Sequence, residues 1–223
     1  MSAREEILST IRRSLGVTGQ EKPRLDTVTE RLANAPRGLT VARGQLPHEG
    51  QVALFKEQAK ATLASVVDVA SYQDVPAAVA DYLRQNNLPA QLRIGSDPRM
   101  ADLDWGKTAI ELSHGPSDGN DLAGLNHAFA GVAETGTLVM TASAENPTTI
   151  NFLPDHALVV VSAKDITGDY ETMWSNLRAQ YGKGQMPRVV NWVTGPSRSG
   201  DIEQVILLGA HGPRRVHIMV VQD

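Results

Sequence analysis

The stretch Asp155-His156-Ala157-Leu158-Val159-Val160-Val161 decides the fold. A polar pair opens onto five consecutive apolar residues, the composition of a strand buried on both faces. Toward the C-terminus, Asp169 to Tyr181 reads as a helix with Met173, Trp174, Leu177 and Tyr181 on one side. Val189 to Val193 reads as a strand, Ile202 to Leu207 fits either element, and Val216 to Val221 is a last strand inside the sheet. Toward the N-terminus, Thr137 to Met140 is a strand entered from the turn Glu134-Thr135-Gly136. Asp121 to Gly131, apolar and small, predicts a short helix. Further back come a helix from Val52 to about Ser65 and a strand at Val66 to Val69. A capped helix follows through Val75, Val79, Tyr82 and Leu83, then strands at Leu92 to Gly95 and Ala109 to Leu112. Strands alternating with helices predict an α/β fold with a mainly parallel sheet.

The first 46 residues differ from this. Ser2-Ala3-Arg4-Glu5 is a Ser-x-x-Glu capping box ahead of Ile7, Leu8, Ile11 and Leu15 at helical spacing, with Gly16 as a stop. Residues 17 to 46, punctuated by Pro23 and Pro36, predict an extended arm. The expected organisation is an amphipathic helix and arm over residues 1–46, then one α/β domain over residues 47–223.

Composition narrows the function. The 223 residues carry 21 Lys+Arg against 25 Asp+Glu, a net charge of −4, so nucleic acid is not an expected partner. Aromatic residues at 4% give little surface for stacking bases. The longest apolar run, Ala157 to Val161, is far short of a membrane span. The charged N-terminus does not read as a signal peptide, which predicts a cytoplasmic protein. Cysteine is absent, which removes disulfides, thiol nucleophiles and the thiolates that usually hold iron–sulfur clusters. No cofactor is therefore expected in this chain.

Four constellations carry chemistry. The first is Ala133-Glu134-Thr135-Gly136-Thr137, where Glu134 can serve as base, nucleophile or ligand clamp, or can pin its own turn; Thr135 and Thr137 offer hydroxyls to a ligand. The second is Asn146-Pro147-Thr148 with Asn151 and Pro154-Asp155-His156, in which His156 is the proton-transfer candidate and Asn146 a substrate contact. The third and densest is Gly195-Pro196-Ser197-Arg198-Ser199-Gly200-Asp201-Ile202-Glu203. It follows the strand Val189 to Val193, at the carboxyl end where α/β sheets bind ligands. Ser197 and Arg198 would bind an anion there, and Asp201 and Glu203 add carboxylates. The fourth, Gly209-Ala210-His211-Gly212-Pro213, places His211 in a tight turn; a His211–His217 metal pair is a weaker alternative. His48, His114 and His127 read as surface or turn residues. The Glu134, His156 and Ser197 loops are expected to line one cleft, with Glu134 and His156 catalytic.

Taken together, Ala133 to Thr137, Leu153-Pro154-Asp155-His156, Gly195 to Glu203 and Leu208 to Pro213 resemble the lactate utilization protein C family, whose members carry the LUD domain. The resemblance is dense from Ala133 onward, with Ser199 where Thr is the more familiar residue. It implies a three-layer α/β/α sandwich like that of sugar-phosphate isomerases and CoA transferases. It implies a cluster-free subunit of a system that oxidises L-lactate to pyruvate with two iron–sulfur partner proteins. A small organic acid or a phosphorylated compound would be the ligand. The rival readings are a free-standing transferase or isomerase acting on an acyl-CoA or sugar phosphate, and a non-catalytic scaffold or regulator.

Overall fold

Val159 and Val161 pack into one hydrophobic cluster while Leu158 and Val160 pack into another, so the decisive strand separates two cores with the two-residue period of a pleated strand. The computed structural model describes all residues except Met1, Lys183, Glu203, Gln204 and Asp223; of residues 200–202, 205 and 206 it describes only the backbone. The helices are α1 (Ala3–Leu15), α2 (Lys22–Asn34), α3 (His48–Ala61), α4 (Val75–Gln85), α5 (Pro98–Ala101), α6 (Thr149–Phe152) and α7 (Tyr170–Tyr181). The strands are β1 (Ser65–Val69), β2 (Gln91–Ile94), β3 (Glu111–His114), β4 (Ala123–His127), β5 (Ala130–Val132) and β6 (Thr137–Thr141). They continue with β7 (His156–Ser162), β8 (Ile166–Thr167), β9 (Val190–Val193), β10 (Arg198–Ile202), β11 (Val205–Leu208) and β12 (Arg215–Val221).

Six strands form the central sheet in the order β1-β12-β7-β4-β2-β3, and every pairing in it is parallel. One face packs on α4, with Val75, Val79 and Leu83 meeting Leu92, Leu158, Val160 and Met219. The other face receives Phe55 and Ala59 of α3 together with Leu138, Met140 and Ile166 of a smaller sheet. That smaller sheet has the order β8-β5-β6-β9, and Met173 and Leu177 of α7 pack on Ala130, Val132 and Val139. The architecture is three-layered α/β, as expected, with the small mixed sheet built into one layer. β10 and β11 pair antiparallel in a separate two-stranded sheet, so the described residues of the ambiguous Ile202 to Leu207 are strand.

Two expectations are corrected. Asp121 to Gly131 is not a short helix but β4 and the start of β5. β4 is buried at every position, so no periodicity marks it, and its small residues answer to close packing: a Cβ on Gly124 would lie 2.8 Å from Pro154 Cγ and 3.0 Å from Ile150 Cγ2. Residues 17 to 46 are not wholly extended, because α2 occupies Lys22–Asn34. Pro23 lies in its first turn, where a missing N–H costs nothing, and Leu25, Val28 and Leu32 follow at helical spacing.

Residues 1–39 and 40–223 are two separate compact units. In the first, Ser2 and Glu5 form the capping box, with Glu5 N donating to Ser2 Oγ at 3.3 Å and Ser2 N to Glu5 Oε2 at 2.8 Å. Neither α1 nor α2 buries a residue. Among the described residues no helix is long and apolar enough to cross a membrane.

Candidate functional site

The strand order places the site. β2 passes outward to β3, whereas its other neighbour β4 leads the opposite way to β7, so the chain leaves the carboxyl ends of β2 and β4 in opposite directions. Such a switch point opens a crevice at the carboxyl edge of a parallel sheet. Five polar side chains gather there. Asp97 and Arg99 follow β2, His127 ends β4, Tyr72 follows β1, and Asn146 comes from the loop after β6.

Backbone packing builds this cluster. A Cβ on Gly95 would sit 2.1 Å from Glu145 O, so only glycine lets the two loops touch, and Ser96 N donates to Glu145 O at 2.9 Å. That contact delivers Asn146 Nδ2 to Asp97 Oδ2 at 2.9 Å. Asp97 is 6% exposed; its Oδ1 accepts from Arg99 N at 3.1 Å, capping α5, and from Arg99 Nε at 3.0 Å. Arg99 Nη2 reaches the other carboxylate oxygen, completing a bidentate pair. Burial alone would raise the Asp97 pKa, but the hydrogen bonds from Arg99 and Asn146 and the Arg99 charge hold it well below the carboxylate range. Arg99 has spent two of its five donors on Asp97 and its side chain is half exposed, so an aimed guanidinium keeps donors for a ligand.

His127 is 3% exposed, and its Nε2 lies 2.8 Å from the Tyr72 hydroxyl. Burial lowers its pKa to about 4, helped by the Arg99 charge and opposed by Asp97 and the Ala128 backbone. The ring is therefore neutral near pH 7. Two buried atoms of this cluster, His127 Nδ1 and Asn146 Oδ1, have no hydrogen-bond partner among the described residues. Buried polar atoms are nearly always satisfied, so an orphaned pair beside a preoriented guanidinium marks a place for a polar ligand.

The residues singled out from sequence fall into three places. Asn146 belongs to this crevice. His156 does not: it begins β7, at the amino edge of the sheet. There its Nδ1 lies 2.9 Å from the Tyr82 hydroxyl, and Tyr82 stacks on His217, whose Nδ1 lies 2.8 Å from Ser65 Oγ. Ser197 and His211 share that edge: Ser197 N donates to Pro213 O at 2.9 Å, and His211 N donates to Ser197 Oγ at 3.3 Å. Arg198 is exposed on β10. Asp201 lies in β10 with only its backbone described, and Glu203 lies outside the described residues. The reasoning that put this segment at the carboxyl edge fails because β9, which precedes it, belongs to the small sheet.

The third place holds Glu134, Thr135 and Thr137. Glu134 is 4% exposed; its Oε1 accepts from Tyr170 N at 3.1 Å and its N donates to Gly168 O at 3.1 Å, so it braces the start of α7. Its Oε2 is a third buried atom without a partner among the described residues. Thr135, Thr137 and Tyr170 join their hydroxyls in a ring of 2.7, 2.8 and 3.0 Å contacts, and Thr194 reaches Thr137 at 2.7 Å. Sequence reasoning missed Tyr72, Asp97, Arg99 and His127; His127, read as a surface or turn residue, is buried. Asp97-Pro98 was a legible signal, since an Asp before a Pro is a helix start. Among the described residues no group of three or more His, Asp or Glu side chains is placed to hold a metal.

Comparison with known proteins shows what a chain with this parallel sheet and polar cluster is similar to. The family model of the LUD domain matches residues 120–221. The chain is 26% identical to lactate utilization protein C of Geobacillus thermodenitrificans, over 89% of this chain and 95% of that protein. It is 24% identical to lactate utilization protein C of Halalkalibacterium halodurans, over 89% and 96%. The fold is that of a DUF162 family protein from Deinococcus radiodurans, with a TM-score of 0.59 and 19% identity over 79% of this chain and 99% of that one.

Proposed function

We propose that this chain serves lactate utilization as the cluster-free subunit of an iron–sulfur system that oxidises L-lactate to pyruvate. The observation that carries this is its similarity, along 89% of its length, to proteins named lactate utilization protein C. The absence of cysteine supports the division of labour: two partner proteins carry the clusters and the electron path, and this chain supplies binding and proton handling. The carboxyl-edge crevice has the groups for a 2-hydroxy acid. The free donors of Arg99 suit a carboxylate, and neutral His127 with the Asn146 carbonyl suits a hydroxyl and its proton.

The test is pyruvate formation from L-lactate by the three proteins together, with wild-type chain, Arg99→Ala and His127→Gln. Both variants should lose at least about tenfold in rate, the size of effect expected when a charged or proton-transferring contact is removed. Full activity in both removes the crevice from the reaction. Activity of the lone chain on an acyl-CoA or a sugar phosphate overturns the subunit reading in favour of a transferase or isomerase.

A further inference from the structure

The described residues of the densest sequence motif, Gly195 to Pro213, take no part in the carboxyl-edge cluster, yet much of the local packing serves to position them. Gly195 has φ +71° and a Cβ there would lie 2.1 Å from Thr62 O, so a glycine is required for this segment to touch the end of α3. That contact sets Pro196 beside Leu63. Ser197 then ties to the turn ahead of β12, giving to Pro213 O and accepting from His211 N, and Gly209 N donates to Ser197 O at 3.0 Å. The result is a cleft of about 550 Å³ at the amino edge of the central sheet. Its walls are Leu63, Pro196 and Leu208, and its polar lining is His156, Arg214 and Arg215, with Asp155.

Two features mark it as a binding site. The first is charge. Two guanidiniums face one carboxylate, and Asp155 lies 3.5 Å from Arg214. Among the described residues no acidic side chain pairs with Arg215. Burial and the Arg215 charge lower the His156 pKa against the opposing pull of Asp155, and its Nδ1 lies 2.9 Å from the hydroxyl of Tyr82, whose own pKa burial raises against the pull of Arg215. The second feature is Leu63. It follows the α3 C-cap with φ +73°, a position where glycine is the favoured residue, and it is 58% exposed. The Leu63 backbone closes the helix end, its N donating to Lys60 O at 2.9 Å, while its exposed side chain supplies an apolar wall of the cleft.

We infer that this cleft binds the phosphate group of an organic phosphate ester whose apolar body lies against Leu63, Pro196 and Leu208. Two guanidinium forks with an imidazole beside them suit the three free oxygens of a phosphate ester, whereas a carboxylate offers two. A cleft of this size is far larger than a three-carbon acid requires. The site is separate from the crevice, so it stands or falls independently of the lactate reading.

The experiment is calorimetric titration of the full chain with phenyl phosphate, inorganic phosphate and benzoate. Phenyl phosphate should bind more tightly than inorganic phosphate, and benzoate more weakly than either. Arg215→Ala should weaken both phosphates at least about tenfold, as expected for a lost hydrogen bond to a charged group. Leu63→Gly removes the wall while relaxing the backbone, so it should weaken phenyl phosphate and leave inorganic phosphate unchanged, with the melting temperature retained. No binding of phenyl phosphate by the wild type, an unchanged affinity in Arg215→Ala, or benzoate binding as tightly as phenyl phosphate overturns the assignment.

Discussion

The Tyr72 hydroxyl lies 2.8 Å from His127 Nε2, and the two rings stack within 18° of parallel. The contact joins the turn after β1 to the end of β4, two strands that are not neighbours in the sheet. The other nitrogen of this buried, neutral imidazole, Nδ1, has no hydrogen-bond partner among the described residues.

Burial of uncharged histidine makes stability depend on pH. His127 and His217 both have pKa values lowered from 6.5 to about 4, His217 by burial alone. Between these values the unfolded chain binds protons that the folded chain does not, so stability is full above about pH 6.5 and falls as the pH drops toward 4. Each histidine should account for up to about 3 kcal/mol at the acid end. Urea unfolding from pH 4.5 to 7 checks this, and His217→Asn should flatten the dependence by about half. A stability that stays constant across this range contradicts the buried, neutral state of both rings.

Two glycines with positive φ should respond differently to alanine. Gly136 has φ +67° and a Cβ there would lie 2.2 Å from Ala59 N, so Gly136→Ala should cost about 3 kcal/mol or more. Gly119 has φ +96° but open space around it, so Gly119→Ala should cost only about 1 kcal/mol of backbone strain. Chemical denaturation of both variants measures the difference; equal losses would show that α3 yields to the intruding methyl.

Removing the Asp97 carboxylate takes away both the α5 cap and the Arg99 anchor. Arg99 is half exposed and solvent screens its charge, so Asp97→Ala should cost about 2 kcal/mol, not the larger cost of a fully buried pair. Asp97→Ala should also lower lactate oxidation by the assembled system, because the guanidinium is no longer aimed. Rescue of the rate by Asp97→Glu without rescue of the melting temperature would separate aim from stability.

The N-terminal unit should be dispensable for folding of the other. Neither α1 nor α2 buries a residue, so deleting residues 1–39 should leave residues 40–223 with an unchanged cooperative melting transition. Collapse of that transition would mean that the two units stabilise each other. The purified full chain should also carry no iron or acid-labile sulfide; stoichiometric iron would contradict a cluster-free subunit.

Where a residue pattern reports its own neighbourhood, reading it worked. The unbroken apolar run of β7 needs a sheet covered on both faces, and the Ser2–Glu5 box needs only residues three apart. The motif at Ala133 to Thr137 and the block from Gly195 to Pro213 were visible for the same reason: they combine residues whose special backbone demands are written locally. β4 was misread because a strand buried at all five positions has no alternation to display, and α2 because a proline can open a helix as well as break one.

What no local pattern contains is strand order. It is set by which buried faces fit together across the whole chain, at contacts far apart in sequence. That order put His156 and Ser197 at the amino edge, Glu134 under the start of α7, and Asp97, Arg99, His127 and Tyr72 at the switch point between β2 and β4. The sequence by itself determined an α/β protein with a parallel sheet, no thiol chemistry and the motifs at Ala133 to Thr137 and Gly195 to Pro213. Only the tertiary structure decided which of its polar residues meet, because a hydrogen bond such as that between residues 72 and 127 exists only once the sheet has closed between them.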